Sequence, residues 1–263
     1  MHKYCVLIVL ILSSAAFGQR PFSEASPKSD HDQENKRIEK LGYKTCREYR
    51  VSDASIDPKE GTLTRTFEYG NSALLSLETE YSDDDTSRSR YEYDLKGNIL
   101  GITSEYASGQ VNIGYVYGKK GLLEEIIVAA IEARDKFVKH NPDGTIKEID
   151  VRMPQLDINE NSEIIEPHKI INFPYQKVAY IYDKNKRPIT EITSRTIDSK
   201  KYETSFQIKY TYDVAGRVIN ILHINENDYR MNEEYTYDSD GSLVMLVIVE
   251  GKDMKYFKFI YGK

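Results

Sequence analysis

The sequence has no tryptophan, only two cysteines, and no long apolar run beyond its first dozen residues. Cys5 lies inside the N-terminal apolar stretch, so Cys46 is the one cysteine left once that stretch is removed. The mature chain then has no intramolecular disulfide, and its fold must hold by packing. A lone thiol either cross-links two chains or sits buried as a small apolar residue, and the second is expected here. No segment after residue 18 approaches a membrane-spanning helix. An outer-membrane barrel is also disfavoured, because the strand-like segments carry many charges and no lipid-facing apolar band. Positive charge is in deficit: the net charge is −6, and −7 after loss of Lys3. That argues against nucleic acid or an anionic membrane surface as partner. A mean hydropathy of −0.58 and 30% charged residues indicate a well-solvated surface.

The N-terminus reads as an export signal over residues 1–18. His2 and Lys3 form a weakly basic start, Cys5 to Leu12 an apolar run, and Ala16-Phe17-Gly18 a small-x-small cleavage site. Cys5 stands at the start of the apolar run and not at the cleavage point after it, so lipid attachment is not expected. Residues 19–36 are polar and read as a disordered leader. A short helix is expected over Glu34 to Leu41, with Asp32 as its cap, Gly42 as its stop, and Ile38 and Leu41 as its apolar stripe.

What the chain has in abundance is tyrosine, 21 residues of it. Most of it recurs in one pattern: aromatic, any residue, Tyr, then a turn residue. Phe67-Glu68-Tyr69-Gly70 opens the series. Tyr91-Glu92-Tyr93-Asp94, Tyr115-Val116-Tyr117-Gly118, and the weak copy Val138-Lys139-His140-Asn141 follow. Then come Tyr180-Ile181-Tyr182-Asp183, Tyr210-Thr211-Tyr212-Asp213, Tyr235-Thr236-Tyr237-Asp238, and Phe259-Ile260-Tyr261-Gly262. The turn positions step by 24, 24, 23, 42, 30, 25 and 24 residues. Residues i and i+2 of a strand share a face, so the two rings lie side by side. Asp or Asn then starts a turn through its own backbone. Gly97, Gly121, Gly144, Gly216 and Gly241 supply positive φ three residues later, and apolar residues resume at once. Each period therefore reads as strand, tight turn, strand.

Three stretches depart from this rhythm. Tyr43 to Leu63 reads as an earlier degenerate unit with Gly61 at its turn. Residues 122–133 fit either a strand or an amphipathic helix; the repeat register and the cluster Ile126-Ile127-Val128 favour a strand. The long step holds an insertion at about 151–175, polar and containing Pro154, Pro167 and Pro174, which reads mainly as an extended loop.

Tyr210-Thr211-Tyr212-Asp213-Val214-Ala215-Gly216-Arg217-Val218 resembles the signature of the RHS/YD-repeat family. Residues 91–99 and 235–243 match well, while 180–188 has Lys186 where glycine belongs. The resemblance covers roughly residues 60 to 263. It implies an all-β chain of tandem antiparallel hairpins winding into one long, twisted, open spiral sheet. In large family members such a sheet forms a shell around a C-terminal toxin or effector. Here the repeats look too few to close a shell, and the sequence ends on a repeat, so the resemblance implies the scaffold without the cargo. The expected organisation is a signal (1–18), a leader (19–36) and a repeat domain (37–263).

No catalytic constellation stands out. His31, His140, His168 and His223 form no metal-ligand spacing, no Ser lies in a nucleophile elbow, and no phosphate loop is present. No cofactor or metal is expected. Asp238-Ser239-Asp240-Gly241 begins like a calcium loop but has Val249 where the bidentate Glu is required, so it reads as a turn. Asp83-Asp84-Asp85 reads as a solvated hairpin tip. The tyrosine stripes are either a stacking platform for sugars or peptides or the cement between hairpins, and their strict register favours cement.

The expected function is a non-enzymatic exported scaffold binding a glycan, peptide or cell-envelope partner through its sheet face. The alternative is an accessory component of a larger surface or toxin system, acting through exposed hairpin edges. A third reading is an enzyme using Asp157, Glu160, Glu163, Glu166 and His168 of the insertion, although those residues form no recognisable catalytic pattern.

Overall fold

A computed structural model describes residues 28–82, 85–107, 109–129, 134–152, 154–155, 169–170, 175–196 and 201–263. The export signal and the insertion residues Asp157, Glu160, Glu163, Glu166 and His168 lie outside them, as do Asp83 and Asp84. The chain begins with helix α1 (Lys28–Leu41). Residues 28–36 of the expected leader are thus helical, and Asp32 lies inside the helix and not at its cap. Gly42 does end it: with φ +69 it donates to the Glu39 carbonyl, while Tyr43 donates to the Ile38 carbonyl. This is a Schellman stop.

Sixteen strands follow in one antiparallel sheet, and the sheet is a closed barrel. The expected open spiral is therefore wrong. The strands are β1 (Thr45–Val51), β2 (Thr62–Tyr69), β3 (Leu75–Tyr81), β4 (Thr86–Tyr93), β5 (Ile99–Tyr106), β6 (Gly109–Tyr117), β7 (Leu123–Ala129), β8 (Arg134–His140), β9 (Ile146–Arg152), β12 (Gln176–Tyr182), β13 (Pro188–Arg195), β14 (Glu203–Tyr212), β15 (Val218–Asn225), β16 (Arg230–Tyr237), β17 (Leu243–Glu250) and β18 (Asp253–Gly262). Between β9 and β12, β10 (Pro154–Gln155) and β11 (Lys169–Ile170) pair separately within the insertion. Within the disputed segment, residues 123–129 form strand β7, as the repeat register requires, and 130–133 lie outside the described residues.

Closure happens because the two ends of the chain meet. The last motif, 259–262, closes β18, where each earlier motif leads through its turn into a return strand. β1 takes that place, with Thr45 opposite Gly262 and Cys46 opposite Tyr261. Seven hairpins with one split pair make sixteen strands and leave no free edge. β1 carries no repeat motif, so the eighth partner was not visible in the pattern. Thr45–Val51 and Thr62–Tyr69 do pair as the Tyr43 to Leu63 unit implied. Gly61 does lie in their connection, but not with positive φ: its φ is −85, and an added Cβ would stand 2.6 Å from the Arg50 carbonyl oxygen.

The motif is a hairpin rule carried out in backbone bonds. Gly70, Asp94, Gly118, Asn141, Asp183, Asp213 and Asp238 each donate N–H to the carbonyl four residues on, at 2.8–2.9 Å. The residue at the third place takes positive φ: glycine in five turns, Ala73 (+57) and Lys186 (+62) in the other two. The Asp carboxylate closes the turn, as when Asp94 Oδ1 accepts from the Lys96 and Asn98 amides at 2.8 Å. Every one of these hairpins also carries a register shift at the second aromatic of the motif: Tyr69, Tyr93, Tyr117, His140, Tyr182, Tyr212 and Tyr237. The extra residue on the return strand makes its inward positions three apart instead of two. Pairs such as Ile99/Ile102, Ile146/Ile149, Val218/Ile221 and Leu243/Leu246 are all buried as a result.

One face of the sheet is buried throughout. Ile126, Ile149 and Ile208 are each 1% exposed and Phe67 is 2%. Across the ladders, Tyr91 faces Ile102, Ile102 faces Ile113, and Ile149 faces Val178. That face is the inside. Tyr91 on β4 and Tyr235 on β16 pack on one cluster with Phe67, Leu246 and Phe259, although their strands are far apart in the sheet order. The cluster runs along the inner face of the neighbouring strands β17, β18, β1, β2 and β3 that separate them. Cys46 is fully buried in the same cluster, as expected of a small apolar residue. A sixteen-stranded barrel of porin type leaves an aqueous channel. Here large aromatic rings fill the region around this cluster.

Candidate functional site

The tyrosine stripes point inward, and their hydroxyls are spent between hairpins. Tyr182, Tyr212, Tyr237 and Tyr261 donate to the carbonyls of Ile146, Pro188, Val218 and Leu243 at 2.5, 2.7, 2.7 and 2.9 Å. Each acceptor lies just after the turn of the preceding hairpin. The Arg187 and Arg217 guanidinium groups stack on the Tyr212 and Tyr237 rings of the following hairpin, at 5.8 and 4.7 Å. Burial pushes the phenol pKa of Tyr93, Tyr182 and Tyr261 above the ordinary value and that of Tyr117 up to about 12. These rings are cement and offer no external platform.

The interior also holds charge. A bulge at Thr64 of β2, opposite the Glu48/Tyr49 step of β1, brings both Thr64 and Arg65 against the Glu48 carboxylate, at 2.7 and 3.0 Å. Arg65 reaches Glu78 at 3.7 Å, and Tyr91 donates to the other Glu78 oxygen at 2.7 Å. Burial opposes the Arg65 charge, but Glu48 and Glu78 outweigh it and raise its pKa. Burial also raises the Glu78 pKa against the pull of Arg65. On the far side His223 Nε2 lies 2.9 Å from Glu233, which also accepts from Tyr235. These pairs interlock the core.

The outward face is polar, with Arg47, Arg88, Arg90, Lys147, Lys209, Glu234 and Lys258 along its strands. One part of it is unlike the rest. On β9, Asp150 lies between Phe137 of β8 and Lys177 of β12, and it is only 3% exposed. Lys139 reaches both Glu148 and Asp150, at 2.9 and 2.6 Å. Burial works against the Lys139 charge, yet the two carboxylates raise its pKa above the ordinary value. The Arg152 guanidinium stacks on Phe137 at 4.8 Å, and Lys177 Nζ lies 4.4 Å above the Tyr202 ring. Burial, then Asp150 and Glu148, raise the Tyr202 pKa. Asp150 Oδ1 and Arg152 Nε are buried without a hydrogen-bond partner among the described residues. The insertion leaves and returns beside this patch, at Arg152 and Tyr175.

Sequence reasoning missed this patch, since a charge in a strand reads as a solvated face. The available signal was Asp150 itself, an acid between Ile149 and Val151 in a residue class depleted from strands. The other sequence candidates fall elsewhere. Asp238 closes a turn by accepting from the Ser242 amide at 2.7 Å, as its reading required. Asp85 accepts from the Thr86 and Ala107 amides in a shallow depression lined by Arg88, Glu105 and Tyr106. Among the described residues, no group of three or more His, Cys, Asp or Glu is placed to hold a metal ion.

No family model matches the chain, and no curated protein does. Solved structures do. A porin-like protein from Bacteroides uniformis ATCC 8492 is similar at 10% identity and a TM-score of 0.46, over 84% of this chain and 98% of that one. A second, from Bacteroides vulgatus ATCC 8482, is similar at 12% identity and a TM-score of 0.45, over 82% and 97%. TcdB2-TccC3 is similar at 13% identity and a TM-score of 0.27, over 80% of this chain and 13% of that one.

Proposed function

We propose that this chain is an exported, non-enzymatic barrel of the YD-repeat type that stands in water at the cell envelope and binds a partner on its outer wall. The observation that carries this reading is the assignment of its two faces. The inward face is mainly apolar and aromatic, with Glu48, Arg65, Glu78 and Glu233 as charged exceptions, while Arg88, Arg90, Lys209 and Lys258 point out among apolar side chains such as Ile127 and Ile181. A membrane barrel needs the reverse, and each lipid-facing Lys or Arg at mid-membrane costs about 2–4 kcal/mol. The ligand-binding place best equipped is the Asp150 patch. Its unmet acceptor and donor, beside the Phe137 and Tyr202 rings, match the hydroxyls and apolar face of a sugar.

Fractionation of expressing cells tests the first part. The mature protein should leave the cell envelope without detergent, and should give no conductance in planar bilayers. A requirement for detergent, with channel activity, would sink the reading. A glycan array tests the second: specific binding should be lost in Asp150→Asn and kept in Arg88→Ala.

A further inference from the structure

We infer that helix α1 is a clasp that replaces the missing eighth turn and holds the barrel shut at its seam. Seven strand pairs are joined at this end by the motif turn; β18 and β1 are not joined, since they come from opposite ends of the chain. α1 lies across that gap. Ile38 is 1% exposed and packs with Cys46 of β1, Phe67 and Tyr69 of β2, Leu243 of β17 and Phe259 of β18. Tyr43, just past the helix, stacks on Tyr261 with ring centroids 4.6 Å apart. Lys44 donates to the Gly262 carbonyl at 2.8 Å, and Tyr69 donates to the Lys44 carbonyl at 2.9 Å.

The side-chain chemistry at the seam copies that of the turns. In two hairpins the residue four past the turn Asp is an arginine, Arg187 or Arg217, which stacks on the next tyrosine. At the last turn that residue is Ser242, fully buried and without a guanidinium to give. Arg37 of α1 fills the role. Its Nη1 donates to Ser242 Oγ at 2.7 Å, Glu34 fixes it at 2.6 Å, and its charge is felt by Tyr261 and Tyr69. The helix thus supplies from outside the array the arginine that the last repeat lacks.

Amide hydrogen exchange on the full mature chain tests this. Arg37→Ala should speed exchange in β1 and β18 at least tenfold while leaving β13 and β14 unchanged. Ser242→Ala, which deletes only a hydroxyl, should move the same amides in the same direction. A covalent link should make the clasp dispensable. A Cβ on Gly262 would stand 3.9 Å from Thr45 Cβ, within the span of a disulfide. In Arg37→Ala with Thr45→Cys and Gly262→Cys, oxidation should return β1 and β18 to wild-type exchange, and reduction should undo it. Equal acceleration over the whole barrel, or no rescue on oxidation, would overturn the inference.

Discussion

The run from β12 to β17 and the seam from β17 through β18 to β2 solve one problem in two ways. In the run, each strand pair is closed by a covalent turn, an Asp carboxylate and a residue of positive φ. Each pair is tied to the next by a tyrosine hydroxyl and, from Arg187 and Arg217, by a guanidinium on a ring. At the seam there is no turn. Closure rests on the β1 ladder, a dense core around Phe67 and Phe259, and one helix lying over the join. The comparison teaches that ring closure adds no new kind of interaction. It reproduces the repeat's contacts from pieces that are remote in sequence, and it uses more buried apolar surface to do so.

The largest way to break the seam is its core. Phe67→Ala should destabilise the protein by about 3–5 kcal/mol in urea unfolding, the usual cost of a large buried ring. Alkaline pH should next attack both regions through their buried phenols. Tyr93, Tyr117, Tyr182 and Tyr261 keep their protons above the ordinary phenol value in the folded state. The unfolded chain releases protons from about pH 10, so stability is intact below that and falls as pH rises through the folded values. Each such tyrosine adds a slope of about 1.4 kcal/mol per pH unit. A pH titration followed by circular dichroism should show loss of the barrel beginning near pH 10, and a flat stability from pH 10 to 12 would refute it.

In the run, Gly216→Ala should cost about 2 kcal/mol. Its φ is +80, and the new Cβ would fall 2.0 Å from the Arg187 guanidinium, displacing it from Tyr212. Tyr237→Phe removes the hydroxyl that donates to the Val218 carbonyl and should cost about 1 kcal/mol by the same measurement. The smallest change should be a gain. Lys186 holds φ +62 at a glycine place, so Lys186→Gly should raise stability by under about 1 kcal/mol.

The hairpins were legible because their rules are local. Tyr-x-Tyr sets a face, Asp sets a turn, and the third residue sets its hand. Lys186 could be picked out as a misfit from spacing alone, and its backbone is where the misfit shows. The Asp150 patch was not legible, since nothing in Ile149-Asp150-Val151 says that its charge will be buried on the outer wall beside Phe137 and Tyr202. The helix was read too short, because residues 28–33 have no apolar stripe of their own.

The sequence by itself determined the unit: its length, its turn, the shared face of its rings, and an array held without disulfides. Only the tertiary structure decided that the array closes. Closure depends on β1 meeting β18, a pairing between residues some two hundred positions apart that leaves no mark in the local pattern. It also depends on the strand count at which the twisted sheet brings its two edges together. A repeat motif records how each hairpin meets its neighbour; it carries no record of where the last one finds a partner.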